Sequence, residues 1–418
     1  MRNIFCPIVF ILFFSCADRQ TNTSSETLGD ARYVIDLDVN KEACIPYSSV
    51  FKNVKTIILE NNEDALIGRV HELQVFDGCI YILDKTIARS LLVFDENGRF
   101  IRKIGRMGRG PGEYFLLDDF TLDTENGVVF LLDFSCIIHK YRLDGTYIHS
   151  IDTRDQIPGT NIYFIQYYND RLYASVLARG ETTPDDFMLL EMDPDNGKVL
   201  SRSLPLKDNK GWDKRGFTGH NFFISPLNNP PKYTQLFMDS IVSLGEEITP
   251  YIELKSQHLT TEKDFENLSN DKSTTGSIDF QVLQGTSKIW DVNSFVESDD
   301  FILFKYKSGF MSSKRGSFSV LFHKETESVK IAHRMGNDLV YRRIDDENQP
   351  SIPVSDGSFL FSDKKGAYEI IQTSLSLFLE EFQKSIKNNE VVPELDKLDE
   401  LLQLNEESNP IIFYYEFK

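Results

Sequence analysis

A strand, a tight turn and a second strand recur along this chain at nearly constant spacing, and that repeat limits the possible folds more than any other feature. The first copy is Leu91-Leu92-Val93-Phe94-Asp95-Glu96-Asn97-Gly98-Arg99-Phe100-Ile101, and the second runs from Ile138 to Ile148, with Gly145 lying 47 residues after Gly98. The third, Leu190 to Leu200, places Gly197 another 52 residues on and is one residue longer. Asn-Gly and Asp-Gly supply the positive-φ positions that tight hairpins need, and apolar flanks make each copy a strong hairpin signal.

A second element precedes each copy. Gly78-Cys79-Ile80-Tyr81-Ile82-Leu83-Asp84 matches Gly127-Val128-Val129-Phe130-Leu131-Leu132-Asp133 at an offset of 49, and Asp170 to Val176 is a third version. Asp300-Phe301-Ile302-Leu303-Phe304 and Gly357-Ser358-Phe359-Leu360-Phe361 read as later relatives. Such apolar runs suit strands covered on both faces. Units of this length with about four short strands are the mark of a propeller blade. They fall at roughly 67–114, 115–158, 159–207, 210–256, 288–337 and 338–418, so the expected fold is all-β, a six-bladed β-propeller over residues 33–418.

In the fourth unit Asn228-Asn229-Pro230-Pro231 interrupts the first hairpin, while Leu236 to Leu244 reads as a strand pair. Ring closure needs strands from both termini, and Val54 to Leu59 and Pro410 to Tyr415 are available for it. Thr261, with Asp264 three residues later, predicts a short helix over 261–268. Leu375, Phe378, Leu379, Phe382 and Ile386 fall at helical spacing, as do Leu395, Leu398, Leu401 and Leu402 after Pro393. They predict a small helical hairpin inserted near the C-terminus, at about 372–405.

The N-terminus speaks to compartment. Arg2 precedes an apolar stretch from Ile4 to Phe14, long enough for a signal peptide and short of the roughly 20 residues that span a bilayer. Residues 1–15 are therefore expected to be a signal peptide. Ser15-Cys16 resembles the lipobox of bacterial lipoproteins, which makes Cys16 the expected lipidation site; an ordinary cleaved secretory signal is the alternative. Residues 16–32 are polar and without periodicity, as a flexible tether would be. Cys44, Cys79 and Cys136 are too sparse for a disulfide framework and form no CxxC zinc motif.

The formal charge is −19, or −20 once Arg2 leaves with the signal, so a phosphate backbone is repelled and nucleic acid is not an expected partner. Against that background Gly105-Arg106-Met107-Gly108-Arg109-Gly110-Pro111-Gly112-Glu113-Tyr114 stands out. Its glycines and arginines could form a nest for a carboxylate, sulfate or phosphate, with Arg106, Arg109, Gly110 and Glu113 as the ligand-binding candidates. The plainer role is a connection between blades, with Glu113 paired to an arginine. Asp84 and Asp133 end equivalent strands and could hold a divalent cation at the mouth of the axial channel, although capping the next turn is the commoner use of such a residue. His139 lies in an alternating strand, and the other histidines are dispersed. No catalytic residue and no resident cofactor other than that cation is expected. Tyr163, Phe164, Tyr167, Tyr168 and Tyr173 could offer platforms to a sugar, or simply fill strands.

The GxxGxGPGEY loop that follows the first hairpin copy resembles the NHL-like six-bladed β-propeller lipoproteins of Bacteroides and its relatives. Leu59-Glu60 before the first blade and Asn409-Pro410-Ile411-Ile412 near the end resemble the same family, so the likeness spans nearly the whole mature chain. It implies the fold and a lipid-anchored place in the cell envelope, at the outer membrane and facing either the periplasm or the exterior. It supplies no catalytic residues. The expectation is a membrane-tethered, monomeric binding or scaffold module for a protein, peptide or glycan. The alternative is a metal-dependent lactonase, lyase or hydrolase of the propeller kind. Cys16→Ser should abolish incorporation of labelled palmitate and move the protein into the aqueous phase on detergent partitioning.

Overall fold

A computed structural model describes residues 29–178, 186–210, 222–223, 230–266, 283, 285–309, 316–344, 357–371 and 375–418. The signal-peptide segment, Cys16, most of the tether, Asn228, Asn229 and the last two positions of the helix expected over 261–268 lie outside the described residues. The main strands form six small sheets arranged as a six-bladed propeller. Blade 1 is Glu72–Phe76, Cys79–Asp84, Ser90–Asp95 and Phe100–Ile104, and blade 2 is Leu117–Asp123, Val128–Asp133, Ile137–Arg142 and Tyr147–Asp152. Blade 3 comprises Thr160–Tyr168, Arg171–Ala178, Phe187–Met192 and Val199–Pro205.

The apolar runs are explained by what lies on each side of a blade. Side chains alternate across a strand, so Ile80 and Ile82 join a core shared with Tyr368 and Ile412, whereas Tyr81 and Leu83 join another with Phe120 and Val129. Each blade therefore buries both faces, and one apolar core fills each of the six junctions. Near the axis the joints are polar: Gln74 Nε2 donates to the Phe120 carbonyl (3.2 Å), and Asp119 Oδ2 accepts from the Ile165 N–H (2.7 Å).

The repeated hairpin glycine has a second duty. Gly98, Gly145 and Gly197 all have positive φ, and each turn lies against the outer strand of the preceding blade. A Cβ at Gly98 would run into the Ile58 carbonyl oxygen, and one at Gly197 would come within 2.5 Å of Ile151 Cγ2. At Gly98 and Gly197 turn geometry and blade packing thus demand the same residue, whereas at Gly145, where a Cβ would lie 3.6 Å from the Lys103 carbonyl oxygen, the turn alone does.

Blades 4 and 5 each carry a fifth strand taken from the N-terminal region. Tyr33–Asp36 adds in parallel to Ile248–Lys255, outside Ser240–Leu244, Lys232–Tyr233 and Phe222–Phe223. Lys41–Glu42 adds in parallel to Ser328–Ala332, outside Gly316–His323, Phe301–Ser308 and Ile289–Glu297. The chain then supplies Phe51–Ile58 as the outer strand of blade 6, paired antiparallel to Ile411–Phe417 beyond Gly366–Ile371 and Phe359–Ser362. This pairing closes the ring, with the two terminal segments in the roles their sequences suggest.

Asn409 locks that closure. Its Oδ1 accepts from the Ile67 N–H at 2.9 Å, and its Nδ2 donates to the carbonyls of Glu60 and Ala65, each at 2.7 Å. Glu60 in turn accepts the Phe100 N–H through Oε2 at 2.9 Å. The Leu59-Glu60 and Asn409-Pro410 pairs, remote in sequence, are therefore two halves of one clasp.

Three expectations need correction. Leu236 to Met238 is a turn, because Phe237 takes a φ of 67° and packs with Leu236, Leu283, Phe265 and Trp290 in a small separate core. Only Ser240–Leu244 of that stretch is a strand. Phe359–Ser362 is the innermost strand of blade 6 rather than an equivalent of Cys79–Asp84, a place that belongs to Gly366–Ile371. The insertion near the C-terminus is built on one 13-residue helix, Leu375–Lys387, and not on a helical hairpin. Its second arm is a strand, Val391–Pro393, paired with Tyr341–Arg343, and beyond it only Leu398–Leu401 is helical. The short helix Glu262–Glu266 forms with Asp264 Oδ2 accepting from the Thr261 N–H and Oγ1. Among the described residues no helix is long and apolar enough to cross a membrane.

Asn409→Ala deletes three hydrogen bonds, two of them buried, and strands their partners. It should cost about 3 kcal/mol, read as a lower urea midpoint with an unchanged denaturant slope.

Candidate functional site

The glycine-rich loop folds into the nest its composition suggests, and the anion inside is the chain's own. Glu113 Oε2 accepts the N–H groups of Arg109 (2.8 Å) and Gly110 (2.7 Å), while Oε1 meets Arg106 Nε at 2.6 Å. The Gly110 N–H and the Arg106 guanidinium hold the Glu113 carboxyl below its usual range. Gly108 must lack a side chain here, because a Cβ would overlap the Glu113 carboxylate. The structure thus brings Arg106, Arg109, Gly110 and Glu113 together as a self-contained connection between blades 1 and 2.

Asp84 and Asp133 occupy equivalent strand ends, and both are engaged with backbone N–H groups. Asp84 accepts from Gly68 (2.8 Å), Thr86 (2.7 Å) and Ala88 (2.9 Å). Burial raises its pKa, but hydrogen bonds from Thr86, Ala88 and Gly68 outweigh that and hold it below the usual range. Asp133 accepts from Phe115 (2.7 Å) and Ser135 (2.6 Å). Among the described residues no group of three or more His, Cys, Asp and Glu side chains has the arrangement of a metal site. His139 is buried with Nδ1 on Ser150 Oγ at 2.7 Å, and burial lowers its pKa. Four of the five named aromatics of blade 3 serve the cores: Tyr167 stacks on Phe130 with centroids 5.5 Å apart, and Tyr173, Phe164 and Tyr168 pack in the junction with blade 4, while the Tyr163 hydroxyl accepts from Asn161 Nδ2 at 3.1 Å.

A different group of residues marks one face of the ring. Each blade runs down its inner strand and back up the second, so the loops entering inner strands share a face with the loops leaving second strands. Around blades 1 and 2 that face displays Leu66, Ile87, Met107, Phe115 and Phe134, all exposed. Ile87 and Phe115 are 65 % and 63 % exposed, and a cluster of such side chains is a stronger signal than any one of them alone. The loops carrying them interlock: a Cβ on Gly68 would touch Ile87, the Tyr114 hydroxyl donates to the Arg89 carbonyl (3.1 Å), and the Phe134 N–H donates to the Leu116 carbonyl (2.8 Å).

Beneath this apolar rim lie acids. Glu72 begins the inner strand of blade 1, where its Oε1 accepts from Gln74 Nε2 at 3.2 Å, and Asp119 lies on the inner strand of blade 2. Burial pushes the Glu72 pKa up, only partly offset by Asp119 and Gln74. Asp118 sits in a β-bulge, since Leu117 pairs with Asp133 and Asp119 with Leu132. A bulge re-aims a side chain out of strict alternation. Burial lifts Asp118 to about 6; Lys85 opposes the rise, and Asp119 and Asp133 add to it. A carboxyl that exchanges its proton near neutrality can donate hydrogen bonds or take part in acid–base chemistry. Sequence reading misses this group. Its one signal is Leu117-Asp118-Asp119-Phe120, two acids inside a run that otherwise reads as core strand.

Unfolded, Asp118 titrates near 3.8; folded, near 6. A carboxyl with a raised folded pKa carries no penalty below the lower value, and its destabilising effect grows through the window and is complete above the upper one. Asp118→Asn should therefore nearly match the parent protein at pH 4 and exceed it at pH 8. With the shift discounted for solvent screening at a partly exposed side chain, the gain should be about 1 kcal/mol, measured by urea unfolding at both pH values.

A solved structure of a candidate exported protein from Bacteroides fragilis NCTC 9343 has the same fold, superposing with a TM-score of 0.64 at 18 % identity and covering 92 % of this chain and 99 % of that one. Two other solved propellers align more loosely. The WD40 repeats of RRP9 give a TM-score of 0.40 and 12 % identity over 90 % of this chain and 100 % of that one. BamB from Moraxella catarrhalis gives 0.35 and 8 % identity over 69 % of each chain. No curated protein matches the sequence. The family described as a domain of unknown function, DUF4934, matches residues 32–416, and the chain belongs to that family.

Proposed function

We propose that this chain is an exported propeller, anchored through a lipid on Cys16 in the manner of the NHL-like lipoproteins it resembles, and that it binds a protein, peptide or glycan at its loop face. The observation that carries this reading is the exposed apolar group Leu66, Ile87, Phe115 and Phe134 on interlocked loops over blades 1 and 2. Apolar side chains held on a rigid scaffold and bordered by polar groups are the common form of a recognition surface. The carboxyls beneath add hydrogen-bonding partners for a hydroxyl or amide. Similarity to an exported Bacteroides relative supports the location, and the tether of residues 16–32 would lift the ring off the membrane.

A second reading, a lactonase, lyase or hydrolase, draws support from Asp118 and Glu72, whose raised pKa values suit a general acid. Stoichiometric calcium or zinc in the purified protein would favour its metal-dependent form.

The binding reading is tested by photo-crosslinking in native cells. A benzophenone amino acid at Phe134 or Ile87 should give a discrete adduct. The same group at Glu125, exposed in the first turn of blade 2 on the opposite face, should give none. Equal adducts from both faces, or none from either, would sink the proposal.

A further inference from the structure

We propose that the loop face of blades 1 and 2 takes a basic segment of a partner protein, with a lysine or arginine side chain entering over Asp118 while its apolar neighbours pack on Ile87, Phe115 and Phe134. The inference rests on the loop-face reading above and names the chemistry of its ligand. The first ground is a carboxylate that the fold leaves unanswered. Asp84, Asp133 and Glu113, on the same face, each accept two or more backbone N–H groups. Asp118 is half-buried in its bulge, and among the described residues no hydrogen bond or ion pair reaches its side chain. A carboxylate drawn part-way out of water without a donor is costly. An incoming ammonium or guanidinium offsets that cost with a charge-assisted hydrogen bond.

The second ground is charge. Asp119 and Asp133 lie close enough to Asp118 to raise its pKa, and Lys85 is the cation that acts on both Asp118 and Glu72. Lys85 makes no ion pair among the described residues, so one unpaired lysine faces several acids. Two arginines of the same face are held elsewhere: Arg106 meets Glu113 at 2.6 Å, and Arg89 Nε donates to the Thr86 carbonyl at 3.0 Å. On a chain of net charge −19, such recessed acids draw in a cation. The exposed rings of Phe115 and Phe134 add surfaces on which a lysine or arginine can rest.

The third ground selects a protein as the source of the cation. Ile87, Phe115 and Phe134 stand out from their loops, whereas a small ligand needs a concave site that covers most of its surface. Orientation favours a protein over a lipid surface. Tyr33–Asp36 runs parallel to Ile248–Lys255, whose last residue lies toward the loop face, so the chain comes onto the ring from the opposite face. An anchor on Cys16 then turns the loop face away from its own membrane and toward proteins in the aqueous space.

The probe is an acetylated, fluorescein-labelled peptide with leucine, lysine and leucine set between glycines and serines, titrated into the full mature chain and read by anisotropy. Its counterpart carries norleucine in place of lysine. The lysine peptide should bind at least about tenfold more tightly at pH 8, and lose that advantage at pH 5 as Asp118 takes up a proton. The charged and titratable groups around Asp118 are His71, Glu72, Asp84 and Lys85 from blade 1, and Asp119 and Asp133 from blade 2. Asp118→Asn isolates its share: it should remove the preference for lysine and most of the pH dependence, and leave norleucine binding unchanged. Phe134→Ser should weaken both peptides, and Glu125→Gln, which takes one exposed charge from the opposite face, neither. Equal binding of the two peptides, a preference that survives Asp118→Asn, or an equal loss in Glu125→Gln would overturn the proposal. So would flotation of the unlipidated chain on phosphatidylglycerol vesicles that Phe134→Ser abolishes, or sedimentation showing a second copy of this chain on the face. A Phe134 adduct in cells beside equal peptide binding sinks the cation and leaves the binding face standing, whereas a missing adduct sinks the face itself.

Discussion

A blade with two apolar faces cannot be the end of anything, and the rest of this molecule follows from that constraint. Ile80 and Ile82 require a neighbour on one side, and Tyr81 and Leu83 require another on the other. Six blades satisfy one another only when the sixth meets the first. The closing act is the pairing of Phe51–Ile58 with Ile411–Phe417, secured by the three hydrogen bonds of Asn409. A ring of this kind makes stability a shared property of all six junctions. The polar contacts near the axis, such as Gln74 to the Phe120 carbonyl, hold the blades in register while the cores supply the attraction.

How far the sequence reveals this depends on whether a local signal matches a tertiary demand. The three glycine hairpins are legible because Gly98, Gly145 and Gly197 all answer to the turn, and Gly98 and Gly197 answer also to the blade packed against it. Blade 4 is poorly legible because two of its strands are two residues long and its most apolar run, Leu236-Phe237-Met238, turns to fill a separate small core. The leucine spacing after Pro393 looks helical because a short segment and a single helical turn can mimic that periodicity over a few residues. The added strand Lys41–Glu42 is two exposed residues with no apolar pattern, and Tyr33–Asp36 is only four residues long, with Ile35 its one fully buried side chain.

The sites divide in the same way. The glycine-rich loop announces a nest, but only its folded form shows that Glu113 fills it. Asp118 is hidden because a bulge breaks the alternation by which a strand residue is assigned to a face. The exposed apolar cluster of Leu66, Ile87, Phe115 and Phe134 is invisible in composition, because its residues come from four separate loops. The fold is therefore readable from repeats, whereas these surfaces are assembled from residues with no common sequence signature.

The clasp joins positions 349 residues apart, and a chain is made from its N-terminus. Phe51–Ile58 emerges early and waits for nearly the whole polypeptide before its partner strand exists. Non-local pairing of this sort is slow to form. A chain cut short anywhere before Ile411 has no strand to offer it and shows two bare blade faces instead of none. The ring thus inspects its own length: completeness is signalled by burial, and an unfinished molecule advertises itself to proteases and chaperones through the surfaces it failed to hide.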